Sequence, residues 1–263
     1  MTSRAPGPPG ARLVPGTVGD LTPHVGDWLL PVSGDRLGMP TAVTEPTADL
    51  LYVGEFDGRS AWAAESPEAT LRWPELAQHL DRATLALAGR AQQLVAWKRT
   101  HRYCGACRAE LGYEPPYPWP RCTACGLLVP MAPCPVVLVL IRRDDRVLLA
   151  RHSYAHSDMW ALVAGYVEYG ETLEEAARRE VWEEVGVEID DLSYVDSQPW
   201  TLSGPGTLLV GFTARWVAGE PTVDGVELTA AEWFPVADLP DAVPPEYSLA
   251  RWMLDAARES APR

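Results

Sequence analysis

The sequence predicts a mixed α/β protein in three consecutive parts, on three observations. Residues 27–73 alternate short apolar stretches with Gly, Pro and Asp, then lead into an Ala/Leu-rich helical run. Two Cys-x2-Cys pairs follow between Cys104 and Cys125. A strand hairpin then precedes a glycine loop and an acidic helix. The parts are an N-terminal α+β domain (1–100), a cysteine-pair unit (101–130) and an α/β domain (131–263). At 263 residues, 47% hydrophobic and 22% charged, the chain can fill cores of that number.

Taken in order, residues 1–20 read as a lead-in. Met1 to Gly16 is Pro/Gly-rich and has no apolar h-region, so no secretory signal is expected and the reading is cytoplasmic. Strands are expected around Trp28–Leu30, Leu50–Val53 and Ala61–Ala63, forming a small sheet. A helix is expected over Pro74–Arg99, with Leu76, Leu80, Leu87 and Leu94 on its apolar face. Gly89 weakens its middle and is the candidate break point. After the cysteine pairs, Pro135–Ile141 and Arg146–Arg151 read as a hairpin across Arg142–Asp145. Thr172–Val185 reads as a helix capped by Gly186. Further strands are expected at Leu208–Trp216 and Glu232–Phe234, and a last helix at Ser248–Arg258. The longest aliphatic run, Val136–Ile141, is far below the roughly 20 residues a bilayer requires.

The formal net charge is -14. Such a field repels phosphate backbones, which argues against duplex nucleic acid as a partner. It also repels a phosphorylated substrate unless divalent cations neutralise the site. Much of the acidity falls between Glu168 and Asp191.

Cys104-x2-Cys107 and Cys122-x2-Cys125 have the spacing of a zinc ribbon. Four thiolates complete a tetrahedron with no open position, so the expected Zn²⁺ is structural. The intervening residues carry few basic groups (Arg108, Arg121), which disfavours nucleic acid. Cys134 stands apart and is expected to be a small buried hydrophobe.

The decisive stretch runs from Gly165 to Val187. At about 100° per residue, Glu180, Glu183 and Glu184 share one arc of the helix. Like charges at that spacing repel, and a divalent cation reverses the sign of that energy. Hard oxygen ligands suit Mg²⁺ or Mn²⁺. Three glutamates alone are more often a solvated acidic face. Here, however, Leu173 and Ala177 border them, and Gly165 and Gly170 supply a loop able to approach a ligand closely.

The full pattern, Gly165-x5-Glu171-x7-Arg179-Glu180-Val181-x-Glu183-Glu184-x-Gly186-Val187, resembles the Nudix box at every specified position. The resemblance implies an α/β/α sandwich whose strand–loop–helix unit holds divalent metals through Glu180, Glu183, Glu184 and the Gly165 carbonyl. It implies a structural ion pair between Arg179 and Glu171. The implied reaction is attack of water on a diphosphate, with Glu227 or Glu183 accepting the proton.

A zinc ribbon directly before a Nudix domain is similar to the NADH pyrophosphatase subfamily. Ala164-Gly165-Tyr166-Val167-Glu168, Ser197-Gln198-Pro199-Trp200, Glu227-Leu228 and Ser248-Leu249-Ala250-Arg251 carry that likeness. It implies a homodimer that splits NAD(H) into nicotinamide mononucleotide and AMP. It makes Tyr166, Gln198, Trp200 and Ala250 substrate contacts, and Glu227 a further metal ligand or base. Thr201–Gly206 departs from the subfamily's Pro-Phe-Pro-x-Ser, and Val129 and Met131 depart near the ribbon. The preferred dinucleotide is therefore open: NAD(H), a modified NAD adduct of a biosynthetic pathway, or the NAD cap of an RNA 5′ end. A binding module that has lost catalysis is disfavoured, because no box glutamate is missing.

Overall fold

The computed structural model describes residues 12–15, 22–47, 49–112, 120–153, 158–202, 206–223 and 225–260. Most of the expected lead-in, the Tyr113–Trp119 run and Ser203–Pro205 lie outside the described residues. The chain divides into two compact units, one of Met1–Ala132 with Thr201–Gly206 and one of Pro133–Trp200 with Thr207–Arg263.

The first unit is α+β. Its larger sheet has six strands among the described residues, β1 (Leu13–Pro15), β2 (Trp28–Ser33), β3 (Arg36–Leu37), β4 (Thr41–Ala42), β5 (Leu51–Phe56) and β6 (Arg59–Glu65). They order as β1-β5-β6-β2-β3, with β4 also on β2. Two helices follow, α1 (Trp73–Ala77) and α2 (Arg82–Thr100). The single helix expected over 74–99 is therefore two, divided at residues 78–81, where Asp81 caps α2 through the Thr84 N–H. Gly89 does not break α2. A Cβ there would lie 2.8 Å from the Thr201 methyl and 3.5 Å from the Trp73 ring, so this glycine answers to packing. Leu87, Ala88, Ala91 and Val95 pack α2 against Leu30, Val53 and Ala63 of the sheet. Two short strands, β7 (Leu111–Gly112) and β8 (Arg121–Cys122), pair within the cysteine region.

The second unit is an α/β/α sandwich. Its elements are β9 (Cys134–Arg143), β10 (Arg146–His152), β11 (Val163–Tyr166), α3 (Leu173–Val185), β12 (Glu188–Trp200), β13 (Thr207–Ala218), β14 (Leu228–Pro235) and α4 (Leu249–Glu259). The strands order as β12-β13-β9-β10-β14, and β11 also pairs with β9. The expected hairpin is present, but β9 and β10 share only two register pairs, whereas β10 pairs with β14 along its whole length. Alternate residues of β9 serve opposite faces, as strand geometry requires. Val137, Val139 and Ile141 meet Ala177, Val181 and Val185 of α3, while Leu138 and Leu140 meet Leu249, Met253 and Leu254 of α4. Burying Val181 and Val185 contributes about 3–6 kcal/mol. Repulsion among neighbouring glutamates costs only about 0.2–0.5 kcal/mol per pair, so packing decides that α3 docks.

Two expectations are corrected. Cys134 is half-buried at the start of β9 rather than a core residue. The 13-residue strand β12 was not anticipated, because it carries only two buried or nearly buried aliphatic positions amid exposed polar ones and bulges three times. No helix among the described residues is long and apolar enough to cross a membrane.

Candidate active site

The α3 helix begins at a reciprocal cap. Thr172 Oγ1 accepts from the Glu175 N–H, and Glu175 accepts from the Thr172 N–H at 2.8 Å. It ends at Gly186, whose φ of 66° is left-handed. These two caps bound the helix that carries Glu180, Glu183 and Glu184.

At Gly165, the helix and loop meet. A Cβ built there would lie 1.8 Å from Glu180 Cδ and 2.1 Å from each carboxylate oxygen. Only glycine lets the Glu180 carboxylate rest against this backbone. Arg179 then joins the parts. It donates to both oxygens of Glu171 at 2.5 and 2.9 Å, to Glu180 Oε1 at 2.8 Å, to Glu183 Oε2 at 2.8 Å and to the Tyr166 carbonyl at 2.9 Å. Glu171 also accepts from the Glu168 N–H at 3.0 Å. The expected Arg179–Glu171 pair is thus part of a wider fork that ties the loop to the helix.

The electrostatics follow this wiring. Hydrogen bonding from Arg179 lowers the Glu171 carboxyl to about 2. Glu180, with its side chain 13% exposed, is raised instead, because burial outweighs the help from Arg179. Glu183 is exposed, and one oxygen of Glu184 is buried. A half-buried, destabilised carboxylate touching a backbone glycine suits a hard divalent cation, which restores what burial removes. The three glutamates do not form a closed cage. Among the described residues, the four cysteines are the one set of three or more ligand side chains whose donor atoms all lie within 4.8 Å.

In that cysteine cluster Cys104 and Cys125 Sγ are 3.6 Å apart, and Cys107 and Cys122 Sγ 3.4 Å. Disulfides are ruled out at such spacings, and all five cysteines are free. Four Zn–S bonds of about 2.3 Å at tetrahedral angles require sulfurs about 3.7 Å apart, so the cluster fits zinc. Backbone N–H bonds, from Cys125 above all, hold the Cys122 thiol down to about 6.

The other expected site residues stand as follows. Tyr166 is 48% exposed on the loop beside α3. The Gln198 side chain is engaged by backbone, donating to the Tyr247 carbonyl at 2.8 Å and accepting from the Leu249 N–H at 2.7 Å. Trp200 stacks with Tyr247 at 6.2 Å, and Ala250 is buried in the first turn of α4. These residues fasten the start of α4 to the end of β12. Glu227 is exposed just before β14, where the Ser153 N–H donates to its carbonyl at 2.9 Å and Ser153 Oγ donates to the Val226 carbonyl at 2.6 Å. His152, beside them at the end of β10, has its pKa lowered by burial, which the charge of Glu227 partly offsets. Sequence reasoning passed over His152 and Ser153, since no motif spacing links them to a residue some 75 positions later.

An α/β/α sandwich with a glycine loop seated on an acidic, arginine-forked helix defines a class of pyrophosphate-bond hydrolases. A sequence model of the NUDIX domain matches residues 132–253. A curated relative, the NAD-capped RNA hydrolase NudC of Escherichia coli strain SMS-3-5, is 37% identical over 209 residues, covering 78% of this chain and 79% of its own. The chain therefore belongs to the Nudix hydrolase family, whose enzymes work with divalent metals. Similar solved structures include a MutT NUDIX hydrolase from Burkholderia pseudomallei (26% identity, TM-score 0.43, 47% of this chain and 97% of that one). A NUDIX hydrolase from Nitrosomonas europaea (21%, TM-score 0.48, 61% and 94%) is another.

Proposed function

We propose that the chain hydrolyses the pyrophosphate bond of NAD(H), or of a close NAD-derived dinucleotide, giving a nicotinamide-type mononucleotide and AMP. The observation that carries the chemistry is the Glu180 carboxylate seated on Gly165. Likeness to a relative named for NAD-capped RNA supports the substrate. Mg²⁺ or Mn²⁺ would be held by Glu180, Glu183 and Glu184, with the Gly165 carbonyl and Glu227 adding oxygen donors. Such ions, when bound, neutralise a diphosphate and lower the pKa of water.

The chain's own groups do the remaining work. Arg179 fixes the loop against the helix that carries the glutamates. Glu227 or Glu183 takes the proton from the attacking water. Tyr166 offers a ring face to a base. Gln198 and Trp200 hold the wall that carries Ala250. The cysteines keep one Zn²⁺ as a structural staple, and the exposed Trp182 and Tyr194 are candidate surfaces to be covered in a homodimer.

The test is turnover with Mg²⁺ or Mn²⁺ against NAD⁺, NADH, FAD, ADP-ribose, diadenosine polyphosphates and CoA, with products identified by mass spectrometry. Glu184→Gln is expected to abolish turnover while keeping the fold; retained activity would remove the metal assignment. Preferential cleavage of FAD or CoA would remove the substrate. The name of the relative favours a second reading, removal of the NAD cap from an RNA 5′ end. Capped RNA cleaved much faster than the free dinucleotide at matched concentration would make that reading the primary one.

A further inference from the structure

We propose that the first unit carries a second binding site, for a small zwitterion with a phosphate at one end and a cationic ring at the other. A cavity of about 430 Å³ opens between the last turn of α2, the ends of β5 and β6 and the cysteine region. That volume lies in the range of small-molecule sites. Its helix and cysteine side presents Lys98, Arg99 and Arg102 together with Glu110, which lies on the strand beside Arg102, and the ends of the sheet bring Asp49 and Glu65. Small and aliphatic side chains line the rest.

The two sets of charges do not close on one another. None of the three cations forms an ion pair with a described residue, whereas Arg12, Arg143, Arg179, Arg215 and Arg251 all do. Lys98 and Asp49 sense each other only weakly: hydrogen bonding from Thr47 is the main cause of the lowered Asp49 pKa, and the charge of Lys98 the least. Lys98 and Arg99 suit the negative end of the α2 dipole, which explains their sign. It does not explain Arg102 beyond the helix, nor the carboxylates of Asp49 and Glu65 on the sheet side of the cavity. Residues 1–132 hold 12 Lys/Arg against 13 Asp/Glu, while the remainder holds 10 against 23. The first unit is therefore close to neutral, and an anion meets less repulsion there than at the second. A plain anion satisfies only one wall of the cavity; a ligand of both signs satisfies both. The choice of a ring cation rests on the proposed reaction, whose oxidised mononucleotide product has that charge pattern. The cavity and the charges that line it do not depend on it.

The experiment is calorimetric titration of the full chain, without divalent ions, with oxidised nicotinamide mononucleotide, AMP and inorganic phosphate in turn. The mononucleotide is expected to bind one site. Lys98→Ala or Arg102→Ala should weaken it about tenfold, as loss of one charge-assisted contact does. The double variant Glu180→Gln/Glu183→Gln should leave it unchanged. Binding lost in the glutamate variant and indifferent to Lys98→Ala would assign the heat to the reaction centre and overturn the proposal. So would AMP or phosphate binding equally well, or no binding at all. Turnover of NAD(H), measured separately, keeps the two readings apart. Binding at Lys98 without NAD(H) cleavage sinks the substrate reading alone, and cleavage without binding sinks this site alone.

Discussion

At the scale of single residues, the contact between Gly165 and Glu180 makes the sharpest prediction. Gly165→Ala puts a methyl carbon 1.8 Å from Glu180 Cδ, so either the carboxylate or the loop must move by more than an ångström. A displacement of that size costs about 100-fold in rate when it disturbs a reacting geometry. We expect kcat to fall by about that factor while the circular dichroism spectrum is unchanged; an active Gly165→Ala enzyme would mean that this contact is not used. The placing of Glu180, Glu183 and Glu184 on one helix was legible in the sequence because i, i+3, i+4 spacing is a local property. The role of Gln198 was not legible. Its partners, Tyr247 and Leu249, lie 49 and 51 residues on, and a side-chain amide reads the same whether it meets a substrate or a backbone. Gln198→Ala leaves that carbonyl and N–H without their partner, at a cost of about 1–3 kcal/mol each if they stay dry. The expected result is a lower melting temperature along with a raised KM. A raised KM at unchanged stability would make Gln198 a substrate contact instead.

Among the elements, the helices divided by cap chemistry teach the most. Sequence periodicity ran through residues 74–99 because α1 and α2 both bury leucines, and the break at 78–81 is marked only by the Asp81 cap. Gly89 drew attention as a breaker, yet its missing Cβ makes room for Thr201, a contact across more than a hundred residues that no local pattern encodes. Strand β12 was hidden for a similar reason: a bulged, polar strand at the sheet edge lacks the alternation that a buried face imposes. The Asp81 cap can be tested by pH. Its carboxylate accepts from Thr84 Oγ1 at 2.7 Å and from the Thr84 N–H at 2.9 Å and pairs with Arg12, and these contacts lower its pKa to about 2. A depressed folded-state pKa gives stability that is present above the unfolded value of 3.8 and lost as pH falls toward about 2. Asp81→Ala should therefore destabilise the chain by about 1 kcal/mol at neutral pH. Urea titrations of the two proteins should draw together as the pH falls from 3.8 through about 2, and a gap as wide at pH 2 as at neutral pH would exclude the cap's charge as its cause.

For the whole molecule, charge is partitioned as unevenly as function. The second unit carries nearly all of the net charge of -14, although it is the unit expected to receive an anionic diphosphate. Its glutamates account for part of this, and bound divalent ions would neutralise those. Asp190, Asp191 and Asp196 along β12 and Asp238 and Asp241 beyond β14 are not offset in this way. The residual field therefore opposes the approach of substrate from solution. Screening shortens its reach from about 30 Å at 0.01 M salt to about 8 Å at 0.15 M. At fixed, saturating Mg²⁺, kcat/KM for the free dinucleotide should rise with added inert salt, while kcat stays level because the bound substrate already lies inside the field. A capped RNA carries many more phosphates, so its kcat/KM should climb more steeply over the same range. Proteins that recruit nucleic acid through basic surfaces behave in the opposite sense, losing affinity with added salt because the counterions that binding releases then gain less entropy. A capped RNA whose kcat/KM falls with salt would reveal a cationic track that outweighs the acidic unit, and would turn the ranking of the two substrates around.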